Sequence, residues 1–410
     1  MLDFGQEIMT RLETLSACSE AGPGVTRLPF TSEHRAANGL IGDWMKAAGL
    51  SVGIDAAGTM IGRREGTGPA RTLLLGSHQD SVPHGGRYDG ALGVILPLVV
   101  LESLKDEELP FAVELLAFAD EEGVRFPTAL IGPRSLAGTL DPAVLDLEDG
   151  DGTSLADAMR TFQLDPVGIT DLKRRPEDVI GFVEVHIEQG PVLEDRDIRL
   201  GVVSAICGIE RWSVEITGRA AHAGTTPMEL RQDALAAASE AVLAVEDLAR
   251  RTDDLVGVVG NLNVSPNAVN AVPGKVDFTI ELRSGTDAVR HAAGEALSEK
   301  IDQLCAARGL AVETRRTYSQ PAVQCDRALS DSLQRACKAS GTDAPILVSG
   351  ATHDASAMSD LAPVAMMFVR CKQGISHHPD ESITAEDAAA AASALQTFLR
   401  TLSDTKRLRP

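Results

Sequence analysis

A histidine and an aspartate stand two residues apart in Gly76-Ser77-His78-Gln79-Asp80-Ser81-Val82, directly after the apolar run Thr72-Leu73-Leu74-Leu75. The run reads as a buried strand, and on extended backbone residues i and i+2 share a face. Asp80 can therefore steady or polarise His78, as a carboxylate does behind a metal-bound imidazole. Asp89 follows in a turn rich in glycine (Gly85, Gly86, Gly90). Glycine lets backbone come close to a small buried object. A second apolar run, 111–119, ends in Asp120-Glu121-Glu122-Gly123. Successive side chains of an extended segment point to different sides, so one glutamate can bind a metal while the other faces a water. A third run, 181–188, places Glu184, His186 and Glu188 on one face, with Gln189-Gly190 just after. A polar loop or a solvated acidic turn explains any one of these. Three such motifs at three strand ends point to metal chemistry.

The histidines are distributed accordingly. Of nine, His78, His84, His186, His222, His353, His377 and His378 fall in glycine-rich loops or at strand ends, while His34 and His291 fall on expected helices. Imidazole and carboxylate without thiolate suit Zn, Mn, Co or Ni. Two His–carboxylate sets sharing one aspartate would form a two-metal centre, whose ions typically sit about 3.5–4 Å apart and activate a water between them. A neighbouring glutamate then serves as general base and later protonates a leaving nitrogen.

The elements that must carry these residues follow from pattern and punctuation. Helices are expected over 3–18 and 31–48, the second capped near Thr31-Ser32-Glu33 and stopped by Gly49. Strands are expected at 51–54, 60–64, 72–75, 111–119 and 181–188, with a helix over 91–104. Residues 140–180 read as loops with one helix, 154–162. Strand, motif, helix, strand, motif is an α/β order, in which ligands gather at the carboxyl ends of strands. The pattern then changes. A strand at 212–217, the turn from His222 to Met228, a helix over 229–250, strands at 256–264 and 275–282, a helix over 287–308 and a strand at 310–318 give β-α-β-β-α-β, the ferredoxin-like order. The expected organisation is a discontinuous metal-binding domain, 1–209 and 324–410, interrupted by an inserted domain at 210–323. The first domain resumes with a helix over 328–340, a loop at 349–355, a strand at 362–369, a loop at 376–381 and a closing helix over 384–402.

Bulk properties narrow the field. A chain of 410 residues exceeds one typical core, so two domains are expected. A hydrophobic content of 44% and a mean hydropathy of −0.01 are those of a soluble globular protein. No apolar run reaches the ~18 residues of a membrane span, so none is expected. A net charge of −21 argues against non-specific binding to nucleic acid or anionic membrane. The first residues carry acids and helical spacing without a basic region, so a signal peptide is not expected. Cys18, Cys207, Cys305, Cys325, Cys337 and Cys371 are scattered without a C-x-x-C pair, as reduced thiols of a cytosolic protein would be.

Taken together, the motifs resemble the M20 metallopeptidase/amidohydrolase family, in particular its branch of N-carbamoyl-L-amino acid hydrolases, β-ureidopropionases and allantoate amidohydrolases. The matching segments are G-S-H-Q-D-S-V at 76–82, G-G-R-Y-D-G at 85–90, D-E-E-G-V-R-F at 120–126, H-I-E-Q-G at 186–190, H-A-G-T-T-P-M at 222–228, E-L-R at 281–283, G-A-T-H-D-A at 350–355 and S-H-H-P-D-E at 376–381. They span most of the chain in the expected order.

The resemblance implies a metal-binding α/β domain with a central sheet flanked by helices, and an inserted lid that also makes a homodimer. It implies that His78 and His186 hold one divalent ion, Glu122 and His377 the other, and that Asp89 bridges both. The register before Pro379 favours His377 over its neighbour His378. Glu121 would be the general base and acid, with Asp80 supporting His78. His222 would reach the partner subunit's active site and stabilise an oxyanion. Arg283 would clamp a substrate carboxylate through a bidentate fork. Gln189, Asn270 and the loop from Gly350 to His353 would complete the substrate pocket. The implied activity is hydrolysis of the linear C–N amide of a ureido group on a small carboxylate. N-carbamoyl-L-amino acids stand ahead of allantoate as substrate, with an aminoacylase or dipeptidase as the further alternative. A binding protein on a retained hydrolase scaffold is the competing class, and it would have been expected to lose Glu121 or a ligand.

Overall fold

The apolar runs that precede the His and Asp/Glu motifs are the inner strands of one sheet. The computed structural model describes residues 3–68 and 71–407, with side chains described as far as 403. Along the sheet the strands run Ser51–Ile54, Met60–Arg64, Ala112–Phe118, Thr72–His78, Val179–Ile187, Val364–Val369 and Leu200–Ile206. Thr72–His78 lies parallel to both its neighbours, and Val364–Val369 lies parallel to Val179–Ile187. The outer pairs are antiparallel, so the sheet is mixed. Every residue of Thr72–His78, Ala112–Phe118, Val179–Ile187 and Val364–Val369 is buried. Parallel strands are covered on both faces, which is why these segments read as continuous apolar runs rather than as alternation.

Helices supply the cover. Ala91–Ser103 is buried all round from Ala91 to Leu101, as its nearly uniform apolar sequence requires. Phe4–Ser16, capped by Asp3, and Ser32–Ala47, capped by Thr31, each turn a narrower apolar stripe inward. Ile8, Leu12, Leu75, Ile95, Leu115, Val183, Met367 and Phe398 belong to one core cluster. Truncation of such a residue, Leu75→Ala for example, removes about 2–5 kcal/mol.

Several elements differ from the sequence expectation. Leu200–Ile206 is a strand, and Ile131–Ala137 and Asp354–Met358 are short helices. Asp354–Met358 begins within the stretch 349–355 that reads as a loop, and Ile131–Ala137 falls where no element was expected; tertiary packing, not periodicity, sets them. The helix expected from residue 229 begins at Ala234, because the Asp233 side chain caps it and Met228–Leu230 is a separate 3-10 turn.

The chain divides into two compact units. The first comprises residues up to Ser204, Cys325–Leu347 and those from Ala351 on; the second comprises Ala205–Gln324 and Val348–Gly350. The second unit holds a four-stranded antiparallel sheet in the order Ala311–Gln320, Gly208–Thr217, Lys275–Ser284, Val256–Ser265. Ala234–Arg251 follows its first strand and Asp287–Ala307 its third, which is a split β-α-β arrangement. Burial alternates along Lys275–Ser284, and Val214, Ile216, Ala238, Phe278, Ile280 and Leu297 form this unit's own core. Ala221–His222 pairs with Ala271–Val272 in a separate small ribbon. Among the described residues no helix is long and apolar enough to cross a membrane.

Candidate metal centre

The ends of three neighbouring strands of the first unit bring the motif residues together. His78 is the last residue of Thr72–His78, and His186 the last but one of Val179–Ile187. Glu121 and Glu122 follow Ala112–Phe118, which lies on the other side of Thr72–His78. Asp89 stands just before Gly90, the N-cap of helix Ala91–Ser103. Gly90 has φ of 64°, and a Cβ there would run into the His78 ring. Only glycine gives both the left-handed turn and the close approach.

Asp89 is the hub. Its Oδ1 lies 3.1 Å from His186 Nε2 and 3.5 Å from His78 Nε2, and its Oδ2 lies 3.3 Å from His377 Nε2. His377 Nε2 is in turn 3.7 Å from Glu122 Oε1. Two trios share Asp89, one with His78 and His186, the other with Glu122 and His377, and within each trio the donor atoms lie within 4.8 Å of one another. His78, Glu121 and Glu122 form a further trio on the same criterion. His378 is turned aside, with its Nδ1 3.7 Å from Asp380.

The surrounding groups fix this arrangement. The Asp80 carboxylate accepts from the backbone N–H groups of Glu121 (3.1 Å) and Glu122 (3.2 Å), tying the two motif loops together. The Asp80 main-chain carbonyl is 3.0 Å from His78 Nδ1, while the carboxylate is 3.5 Å from it. Asp80 therefore steadies His78 mainly through its backbone and spends its carboxylate on the glutamate pair. Gln189 Nε2 donates to Asp89 Oδ2 at 2.8 Å and to Ser376 Oγ at 3.0 Å. Ser376 Oγ itself donates to Asp89 Oδ2 at 2.9 Å. Gln189, expected at the substrate, lies against the shared carboxylate in this structure. His353 is buried, its ring edge-on to His186 with centroids 4.5 Å apart. Glu184, one strand period before His186, accepts from Ser77 Oγ (2.6 Å) and from the Ala355 backbone (3.0 Å).

Charge is balanced unevenly. Burial opposes the charged form of His78, but the carboxylates of Asp80 and Asp89 outweigh it and hold its pKa well above the usual histidine range. His377 is raised to about 9, chiefly by its hydrogen bond with Asp89. Burial of Asp89 is outweighed by the imidazoles of His186, His377 and His78, which hold it well below the usual carboxylate range. Glu121 moves the other way. Burial, and then the charges of Glu122, Asp354 and Asp80, push it well above that range against the opposing effect of His78. Glu122 is pushed up to about 7, again by burial first and by Asp89 and Asp80 after it. One Asp120 oxygen and both Asp354 oxygens are buried without a hydrogen-bond partner. A buried surplus of carboxylate calls for cationic compensation. The donors are imidazole and carboxylate, with no cysteine in any trio. Such a set fits a divalent metal of the zinc or manganese kind.

The second unit holds the remaining candidates. His222 is exposed at the end of the ribbon, where it pairs with Ala271, and the Asn270 carbonyl accepts from Ala223 N–H at 2.9 Å. The ribbon thus brings His222 and Asn270 to one spot. Arg283 Nη1 donates to the Gly350 carbonyl at 2.6 Å, and its Nε donates to Glu281 Oε1 at 2.8 Å. Arg283 and Gly350 are therefore neighbours, with Glu281 holding the guanidinium from one edge.

Residues 74–401 match the family described as peptidase family M20/M25/M40. The chain belongs to the M20 peptidase family. Its relatives include an N-carbamoyl-L-amino acid amidohydrolase of Geobacillus stearothermophilus, 40% identical over 95% of this chain and 97% of that protein. An allantoate deiminase of Arabidopsis thaliana is 38% identical over 96% of this chain and 81% of that protein. A crystal structure of an amidase of the hydantoinase/carbamoylase family from Burkholderia multivorans superposes with a TM-score of 0.91 at 33% identity, covering 97% of each chain. The mixed α/β fold is thus that of M20 proteins of the carbamoylase type.

For this M20 chain, reading the sequence noted Glu184, Ser376 and Glu381 within its motifs but assigned none of them a role at the centre. Glu184 and His186 share a strand face, and Ser376 and Glu381 flank His377 within six residues, so proximity in sequence was the available signal.

Proposed function

We propose that the chain is a divalent-metal amidohydrolase that cleaves the linear C–N bond of a ureido group on a small carboxylate substrate. N-carbamoyl-L-amino acids are the favoured substrates. The observation that carries the reading is the pair of donor trios sharing Asp89, with Glu121 beside them, in a chain similar end to end to an N-carbamoyl-L-amino acid amidohydrolase. Allantoate is the second reading, because allantoate deiminases are nearly as similar.

In this reading His78 and His186 hold one ion, Glu122 and His377 a second, and Asp89 both. The ions, when bound, supply Lewis acidity that lowers the pKa of water and polarises a carbonyl. Glu121 takes the proton of the attacking water and returns it to the departing nitrogen. Overall, one water converts the N-carbamoyl amino acid to the free amino acid, carbon dioxide and ammonia. Arg283 orients the substrate carboxylate, with Asn270, Gln189, Gly350 and His353 completing the pocket.

The second unit is proposed to be the lid and the dimerisation domain, with His222 serving the partner subunit's site. Exposed Val256, Val258 and Leu262 on the edge strand Val256–Ser265 support a covered edge in the dimer. Six unpaired cysteines support a cytoplasmic location.

The test is product release by metal-reconstituted protein from N-carbamoyl-L-amino acids, N-carbamoyl-β-alanine, allantoate, an N-acetyl amino acid and a dipeptide. Ammonia from a ureido compound, abolished by EDTA, is the expected result, and the fastest compound identifies the substrate. Free amine from the acyl or peptide compounds with no ammonia from any ureido compound would move the chain to the aminoacylase–dipeptidase branch.

A further inference from the structure

Glu381 ends the loop that carries His377, yet its carboxylate belongs to none of the donor trios. It is 3% exposed and reaches across to the segment that carries Asp89. One oxygen, Oε1, accepts from two consecutive backbone N–H groups, those of Tyr88 at 2.9 Å and Asp89 at 3.0 Å. The other, Oε2, is 3.4 Å from Ser376 Oγ, the hydroxyl that donates to Asp89 Oδ2. A second observation concerns the space. A Cβ on Gly86 would collide with the Glu381 carboxylate, and Gly86 is not among the glycines with left-handed backbone. Glycine at 86 is there to admit the carboxylate, not to make a turn.

We propose that Glu381 is a positioning residue of the metal centre, an inference that rests on the metal reading of the two trios. Its carboxylate pins the backbone of Asp89 to the loop of His377. Two donors far apart in sequence are thereby held at fixed separation before any ion arrives. Without it, two buried N–H groups lose their acceptor and the Asp89 carboxylate is free to swing with its loop. Carboxylates that orient ligands in this way typically carry 10–100-fold in metal affinity.

The test is titration of metal-free full-length protein with cobalt(II), followed by visible absorption and bound stoichiometry, alongside metal-free melting temperatures. Glu381→Ala is expected to weaken at least one cobalt site by about 10–100-fold. Glu381→Gln retains an oxygen that can accept both N–H groups and is expected to bind cobalt close to wild type. Gly86→Ala displaces the carboxylate without removing it and is expected to weaken cobalt as Glu381→Ala does. The double variant should be no weaker than the weaker single, because both act through one contact. Asp233, whose side chain also accepts two backbone N–H groups, from Leu235 and Ala236, belongs to the second unit and serves as the control. Asp233→Ala should lower the melting temperature and leave cobalt affinity alone.

Wild-type affinity in a folded Glu381→Ala protein would overturn the inference while leaving the metal reading intact. Glu381→Gln as weak as Glu381→Ala would overturn it too, since the acceptor would then not be what matters. If Glu381→Ala does not fold, Glu381→Gln against Gly86→Ala decides alone: equal affinity in the two rejects the proposal. A wild-type protein that takes up no cobalt would overturn the metal reading and this inference together.

Discussion

The candidate residues of the two units are held in opposite ways. In the first unit the hub is buried and over-determined: His186 is 1% exposed, His78 2% and Asp89 8%, and of the expected ligands only His377 is exposed. The Asp89 carboxylate alone meets His78, His186, His377, Gln189 and Ser376. In the second unit His222 and Asn270 are exposed on a ribbon of two residue pairs, and Arg283 is steadied by Glu281 and one carbonyl. A site built like the first can store charge and keep its geometry without a ligand. Groups held like the second have fewer partners to fix them. In the proposed reading the first unit does the bond chemistry and the second delivers and orients the substrate.

Substitutions should separate these roles. Glu121→Gln keeps the shape of the first site and removes its proton carrier. Its kcat is expected to fall by about 10²–10⁴-fold with metal content unchanged. Near-normal turnover in that variant would remove Glu121 from the mechanism. His222→Ala is expected to lose about 10²–10³-fold in kcat, the usual effect of deleting one oxyanion donor, with metal content again unchanged. Mixing the inactive Glu121→Gln and His222→Ala proteins should then restore partial activity, because one hybrid site would carry both residues. Verified heterodimers without activity would place His222 outside the partner's site. Arg283→Lys loses the planar fork but keeps the charge. KM should rise about tenfold with a smaller change in kcat, as fits one lost charge-assisted hydrogen bond of ~1.5 kcal/mol. A drop confined to kcat would mean that Arg283 acts in the transition state and not in holding the carboxylate.

The same contrast decides what could be read from sequence. The first site was legible because its residues terminate buried parallel strands. Continuous apolar runs announced the strands, and the polar residue after each run marked the end where ligands gather. His78, Asp89, Glu121, Glu122 and His186 stand in motifs that follow from that logic, His377 came only through the family resemblance, and the structure brings the six together. What escaped was anything held by long-range packing. Nothing near Glu381 in sequence says that its partners are Tyr88 and Asp89, and nothing near Gln189 says that its amide turns to Asp89. The strand Leu200–Ile206 escaped because Gly201 and Ser204 break its apolar run, and Asp354–Met358 because five residues are too few to show a helical period. In the second unit the alternation of Lys275–Ser284 and the long helices made the β-α-β-β-α-β order plain, whereas the contact of Arg283 with Gly350 joins residues distant in the chain.

The smallest expected effect bears on how the first site keeps its charge without an ion. His377 has its pKa raised to about 9, mainly by Asp89, from an ordinary value near 6.5. A raised histidine pKa stabilises the metal-free fold fully below about pH 6.5, and that contribution is lost as the pH rises through about 9. At pH 8 His377 is therefore mostly protonated and must give up its proton to become a ligand. Calorimetric metal titrations at pH 8, in two buffers of different ionisation enthalpy, should show proton release, and His377→Ala should release about one proton fewer per subunit. The metal-induced rise in melting temperature should likewise grow between pH 6.5 and 9, because the metal-free form loses its imidazolium–carboxylate contact over that window while the loaded form has none to lose. The same proton count in wild type and His377→Ala would mean that His377 is not displaced from Asp89 by the ion, and the second trio would have to be redrawn without it.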